Sequence, residues 1–178
     1  MAWATAESGS GQIVVSKSLD GGKTWAIPTP VSTPAEGYAF FQGLDVAPNG
    51  RIDIGYQAQT AIDPSTYGTG NASIDSWYAS SSDGGANWSA PLKVSSVSSD
   101  PAASAQNNLA RQFWGDYNTL VSSDTQAWFI YTDSRNGAGC PAVDAYQKGT
   151  GPKPAPQTDC ADQQFGNTDA VVSTITTP

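Results

Sequence analysis

The chain contains no histidine, and that absence narrows its chemistry first. Histidine is the commonest metal ligand and the commonest general base near neutral pH. Acid–base work must fall to Asp, Glu, Tyr, Lys or Cys. Glutamate is nearly missing too: Glu7 and Glu36 are the only two in 178 residues. Charged residues make up 13% of the chain, and the eight Lys and Arg are scattered without a cluster. With a net charge of −8, the chain lacks the basic face that binding phosphates requires, which argues against a nucleic-acid partner. No apolar run is long enough to span a membrane, and no window carries a sustained apolar period of 3.6 residues. The opening MAWATAESGSG lacks the basic start and apolar run of a signal peptide, so any leader is expected to lie outside this sequence.

What is present suits β-strands and turns. Seven Tyr and six Trp favour strands, and 18 Gly with 12 Pro favour the turns that join them. Cys140 and Cys160 flank a segment rich in Pro, Gly and Lys. A disulfide closing this loop is expected, worth about 3 kcal/mol by loop entropy, and it points to an oxidising, secreted or cell-surface setting. The alternative is two unpaired thiols; zinc is disfavoured with two Cys and no His.

The main pattern is a repeat. SLDGGKTW (Ser18–Trp25) returns as SSDGGANW (Ser81–Trp88). Strand-like runs precede each copy (Gln12–Ser18, Ile74–Ser81) and follow it (Trp25–Ser32, Trp88–Ser96), so each copy reads as a hairpin turn. The Asp accepts backbone N–H bonds, the glycines permit positive φ, and the Trp is expected to fold over the hairpin and bury its ring. A weaker repeat relates Leu44–Gln57 to Thr119–Thr132, each strand, turn, strand; Tyr56 then matches Tyr131, with Trp3 as their counterpart in an earlier unit. The unit is a four-stranded antiparallel meander, as in one blade of a β-propeller. The expected fold is all-β: one propeller segment over residues 1–178. It divides into a partial blade (1–37), a complete blade (38–97) with an insert at Ala61–Ser73, and a partial blade (98–178) carrying the cysteine loop. Three, four and three strands are too few for a ring, so further blades or self-association are expected.

The turn resembles the Asp box, or bacterial neuraminidase repeat, of sialidase-like propellers. The first copy has Ser18, Asp20, Gly22, Thr24 and Trp25; the second has Ser81, Asp83, Gly85, Asn87 and Trp88, with Asn replacing Thr. The run from Phe113 to Gly137 is similar to the closing blade of secreted bacterial members. The resemblance covers nearly the whole chain outside the two inserts. It implies a six-bladed parent, a secreted setting, glycan-related work, and Asp boxes that are structural and lie away from the ligand.

Sialidases of this fold use three arginines for the substrate carboxylate, a tyrosine–glutamate nucleophile and an acidic Asp. Arg51, Arg111 and Arg135 sit in no local motif that matches the triad. Arg51 reads as a solvated edge residue, Arg135 as a partner of Asp133, and neither Glu7 nor Glu36 has an evident tyrosine partner. The family's catalytic set is therefore not carried over. FWGDYN is expected to begin an innermost strand bordering the central channel. There Arg111, Trp114 and Arg135 are the candidate sugar contacts, Asp116 or Asp133 the candidate acid, and Tyr117 the candidate stabiliser or nucleophile. The competing reading has Asp116 and Tyr117 satisfying buried backbone. A Ca²⁺ ion held by Asp116 and Asp133 is a further alternative, with no other cofactor expected. The expected function is a carbohydrate-active segment, an exo-glycosidase or else a non-catalytic glycan-binding or scaffold module.

Overall fold

The computed structural model describes residues 1–6, 11–60, 73–107, 111–160 and 165–177, with backbone alone at 105–107, 111 and 112. The chain folds into three antiparallel sheets and a small ribbon. The first sheet holds β1 (Ala2–Thr5), β2 (Gln12–Val15) and β3 (Thr29–Pro30). The second holds β4 (Tyr38–Val46), β5 (Ile52–Thr60), β6 (Ser73–Ser81) and β7 (Leu92–Lys93). The ribbon pairs β8 (Ala105–Asn107) with β9 (Arg111–Phe113). The third sheet holds β10 (Thr119–Ser122), β11 (Gln126–Asp133) and β12 (Asp169–Thr176). Strands follow chain order within each sheet, and no sheet closes on itself among the described residues. The insert expected at Ala61–Ser73 lies outside the described residues except for Ser73, which begins β6.

β5 shows why the sheets stack. It is buried on both faces, and successive side chains point to opposite sides. Ile54, Tyr56 and Ala58 join Ile13, Val15 and Val31 in a core shared with the first sheet. On the other face, Gly55 meets the ring of Phe129 on β11, and the side chain of Gln57 reaches the carbonyl of Thr132. Phe129, Tyr131, Leu120 and Ile175 close a second core with Tyr78. Full burial of a side chain such as Phe129 contributes roughly 1.5–3 kcal/mol. Between the sheets, β1 packs on β4 and β4 on β10.

The outer strands are shorter than the sequence suggested. Trp25–Ser32 yields only β3, and Trp88–Ser96 only β7. Pro28, Pro30 and Pro91 remove ladder donors there, which confines pairing to a short edge. FWGDYN does not begin a strand of the third sheet. Phe113 ends β9, Trp114–Asn118 forms a connector with Gly115 at φ 96°, and the sheet starts at Thr119. β4 carries a bulge between Phe40 and Gly43, with Phe41 in the left-handed region at φ 50°.

Cys140 and Cys160 are joined by a disulfide, with their Cα atoms 5.3 Å apart. The loop they close, between β11 and β12, carries two short helices, α1 (Pro141–Gln147) and α2 (Pro156–Asp159). Val143 of α1 is fully buried, so the loop adds an apolar anchor despite its Pro, Gly and Lys content. No helix among the described residues is long and apolar enough to cross a membrane.

Candidate functional site

The two Asp boxes are wired alike. Asp20 Oδ1 accepts from Lys23 N and Thr24 N, both at 2.9 Å, and from Ser18 Oγ at 2.7 Å. Its Oδ2 accepts from Thr24 Oγ1 at 2.6 Å. In the second box, Asp83 Oδ1 accepts from Ala86 N, Asn87 N and Ser81 Oγ, and Asn87 Nδ2 takes the place of the threonine hydroxyl at 2.7 Å. Substituting Asn for Thr keeps the bond. Gly22 N and Gly85 N each donate to the box serine, and both glycines have positive φ. These donors, led by Thr24 in one box and Asn87 in the other, hold both carboxyls well below the usual carboxylate range.

The tryptophans differ. Trp88 packs against the first core, whereas Trp25 stays 47% exposed and donates its indole N–H to Gly22 O at 3.1 Å. The expectation of a buried ring fails for Trp25, whose ring lies against Gly22 but is not packed on the core as Trp88 is. A cleft of about 430 Å³ opens beside the second box, lined by Asn49, Arg51, Ser80 and Trp88 among others. Its carboxylate and its guanidinium are both consumed internally, so neither is free for chemistry on a ligand.

The Trp114–Asn118 connector has a different design. Trp114 Nε1 donates to Gln57 Oε1 at 2.8 Å, and Asn118 Nδ2 donates to the same oxygen at 3.1 Å. Gln57 is 1% exposed, and its own Nε2 donates to Thr132 O and Ser76 Oγ. One buried amide thus pins the turn at both ends. Asn118 Nδ2 also reaches Phe41 O at 3.1 Å, which ties the turn to the strained bulge of β4. Gly115 lies against Thr132, where a Cβ would stand 2.8 Å from Oγ1. Between the pins, Asp116 is exposed and Tyr117 is 93% exposed, with exposed Phe113 just before them. Neither Asp116 nor Tyr117 lies in buried surroundings.

Asp133 is not part of that surface. It is 1% exposed and paired with Arg135, Nη2 to Oδ2 at 2.7 Å and Nε to Oδ1 at 3.0 Å, with Arg135 N adding 2.7 Å. Burial pushes its carboxyl up, but the Arg135 hydrogen bonds and charge outweigh burial and hold it below the usual range. A general acid needs the opposite shift. Both oxygens face the guanidinium, which disfavours Ca²⁺ there, and the described residues contain no cluster of three or more His, Cys, Asp or Glu. The side chain of Arg111 lies outside the described residues.

Three features escaped the sequence. Arg51 is 4% exposed, not solvated, and holds Asp53. Glu36 does have a tyrosine: Tyr56 Oη donates to its Oε2 at 3.3 Å. Both are buried, Glu36 also accepts from Thr33, and burial followed by the Glu36 charge pushes the Tyr56 phenol far up, so this pair is part of the core. Asp144 on α1 is a carboxyl pushed up by burial, which the neighbouring Lys148 only partly offsets.

The chain matches no protein-family model and no curated protein. Among solved structures, a crystal structure of a protein of unknown function from Dyadobacter fermentans DSM 18053 is similar at a TM-score of 0.44 and 18% identity. The similarity spans 69% of this chain and 36% of that one, so this chain answers to about a third of its neighbour's length.

Proposed function

We propose that this chain is a segment of a secreted, sialidase-like β-propeller that binds glycans through the Trp114–Asn118 turn. The observation that carries the reading is the turn's construction: Trp114 and Asn118 are fixed to one buried amide, and Asp116 and Tyr117 are held out to solvent between them. An exposed tyrosine ring can stack on a sugar face while the neighbouring carboxylate accepts hydrogen bonds from its hydroxyls. Two self-satisfied Asp boxes, each at the third-to-fourth strand hairpin of its unit, support the propeller. On this view, 1–37, 38–97 and 98–178 are a partial, a complete and a partial blade, completed by further blades or by a second copy.

Binding is preferred over hydrolysis because Asp133 is held ionised by Arg135 and Asp116 lies in the open. The test is a glycan array and a panel of aryl glycosides and sialosides run on the purified chain. Binding that depends on Tyr117, without turnover, is expected. Turnover lost in D116N or D133N would replace binding with a glycosidase.

A further inference from the structure

Resting on the propeller part of that reading and not on glycan binding, we propose that the outward face of the third sheet docks, head to tail, on the outward face of the first sheet of a second copy. Three aromatics hold equivalent places in the three sheets. Trp3 pairs with Val14, four residues ahead of the box serine Ser18, as Tyr56 pairs with Trp77, four residues ahead of Ser81. Tyr131 matches Tyr56 in the second repeat. Tyr56 packs into the core shared with the first sheet, and Tyr131 into the core shared with the second. Each therefore points at the sheet that precedes its own in the chain. Trp3 points the same way, opposite to the Ile13 and Val15 that face the second sheet. There it lines an apolar hollow of about 390 Å³ with Met1, Ser16, Trp25, Ala26 and Pro28.

The far end of the stack carries the matching surplus. Phe129 points into the second core, so Trp128 and Ile130 point outward from the third sheet. Val121 stands opposite Trp128, and Val172 opposite Ile130, on that same face. Val121 is 52%, Ile130 38% and Val172 55% exposed. Exposed apolar residues that are neighbours on one face mark an interaction surface, as scattered single ones do not. Continuity with the contacts inside the chain supplies the occupant. The forward face of the first sheet meets the rearward face of the second, and the forward face of the second meets the rearward face of the third. One rearward face, on the first sheet, and one forward face, on the third, are left over among the described residues. A second copy offers both. The outward positions of the strands in these two sheets hold no charged residue, so the net charge of −8 does not oppose the contact locally. Such a contact is heterologous, and it closes into a ring or runs on as a filament. Two copies of three sheets stay within the roughly four to eight blades of a closed ring, which a third copy would exceed.

The test is sedimentation equilibrium of the intact chain over a wide range of concentration, at low salt and at about 0.5 M NaCl. A dimer is expected that does not loosen at high salt. Val172→Lys should raise its dissociation constant at least about tenfold, and so should Trp3→Lys. Circular dichroism reports whether each variant keeps its sheets, and Trp25→Lys probes the same hollow if Trp3→Lys fails to fold. An equimolar mixture of the two lysine variants should recover part of the dimer, because one intact face of each kind remains. A monomer at every concentration would overturn the inference. So would a dimer that only one of the two faces disrupts, which is the mark of an isologous contact. Glycan binding by a monomer would leave the glycan reading standing without this one. A head-to-tail dimer that binds no glycan would do the reverse.

Discussion

Arg51 and Asp53, at the start of β5, form a buried two-point pair, Nε to Oδ1 at 2.8 Å and Nη2 to Oδ2 at 2.9 Å. Tyr78 Oη adds a third bond to the same carboxylate at 2.5 Å, and burial with that bond pushes its phenol up to about 12. The guanidinium also holds the Ser123 and Asp124 carbonyls at the β10–β11 turn, and Asn49 N bonds Asp124 Oδ1 at 2.8 Å. One arginine therefore ties the second sheet to the third.

Removing that arginine leaves a buried carboxylate uncompensated. Arg51→Ala should cost about 3–5 kcal/mol in urea unfolding, and Arg51→Met with Asp53→Asn should recover part of the loss. If Arg51→Ala costs less than about 1 kcal/mol, the clamp is not what joins the sheets.

Acid should weaken the Asp boxes. Both carboxyls sit below their ordinary value near 3.8 when folded, so their stabilisation is complete above about pH 4 and is lost as the pH falls through the folded value. Asp20→Asn and Asp83→Asn should each lower Tm at pH 7, and their gap to the parent chain should shrink toward pH 2. A gap constant across that range would show that the charge is not what the box uses.

Gln57→Leu fills the same space but offers Trp114 and Asn118 no acceptor. A buried donor left unpaired costs about 1–3 kcal/mol, and these two are half-buried, so unfolding should register a loss of up to that order. Loosening of the turn should appear in the fluorescence of Trp114 before global unfolding begins; a fully cooperative loss would assign Gln57 to the core alone.

Gly55 admits the ring of Phe129, and a Cβ there would overlap it. Gly55→Ala should destabilise by about 1–3 kcal/mol, and adding Phe129→Leu should return some of it. Additive costs in the double variant would mean that the two positions do not touch in solution.

Replacing Cys140 and Cys160 with serine should cost about 3 kcal/mol, matched by treating the parent chain with reductant. Both cores lie outside the loop, so the β-sheet circular dichroism should survive at low denaturant. Collapse of that signal on reduction would place the loop inside the folding unit.

What the sequence determined by itself was local. The Asp-box turns, the antiparallel meanders, the loop closed by Cys140 and Cys160, and the pairing of Arg135 with Asp133 all depend on groups close in the chain or on a repeating pattern of strands and turns. Hydrogen bonds over two to four residues need no knowledge of the rest of the molecule. Tertiary structure decided which polar groups were buried and which were displayed. Arg51 looked solvated until the third sheet covered it, Glu36 lacked a tyrosine until β5 brought Tyr56, and Gln57 carried no signal until Trp114 and Asn118 of the connector after β9 converged on it. Trp25 and Trp88 end near-identical motifs yet differ in cover, because burial belongs to the neighbouring surface and not to the motif.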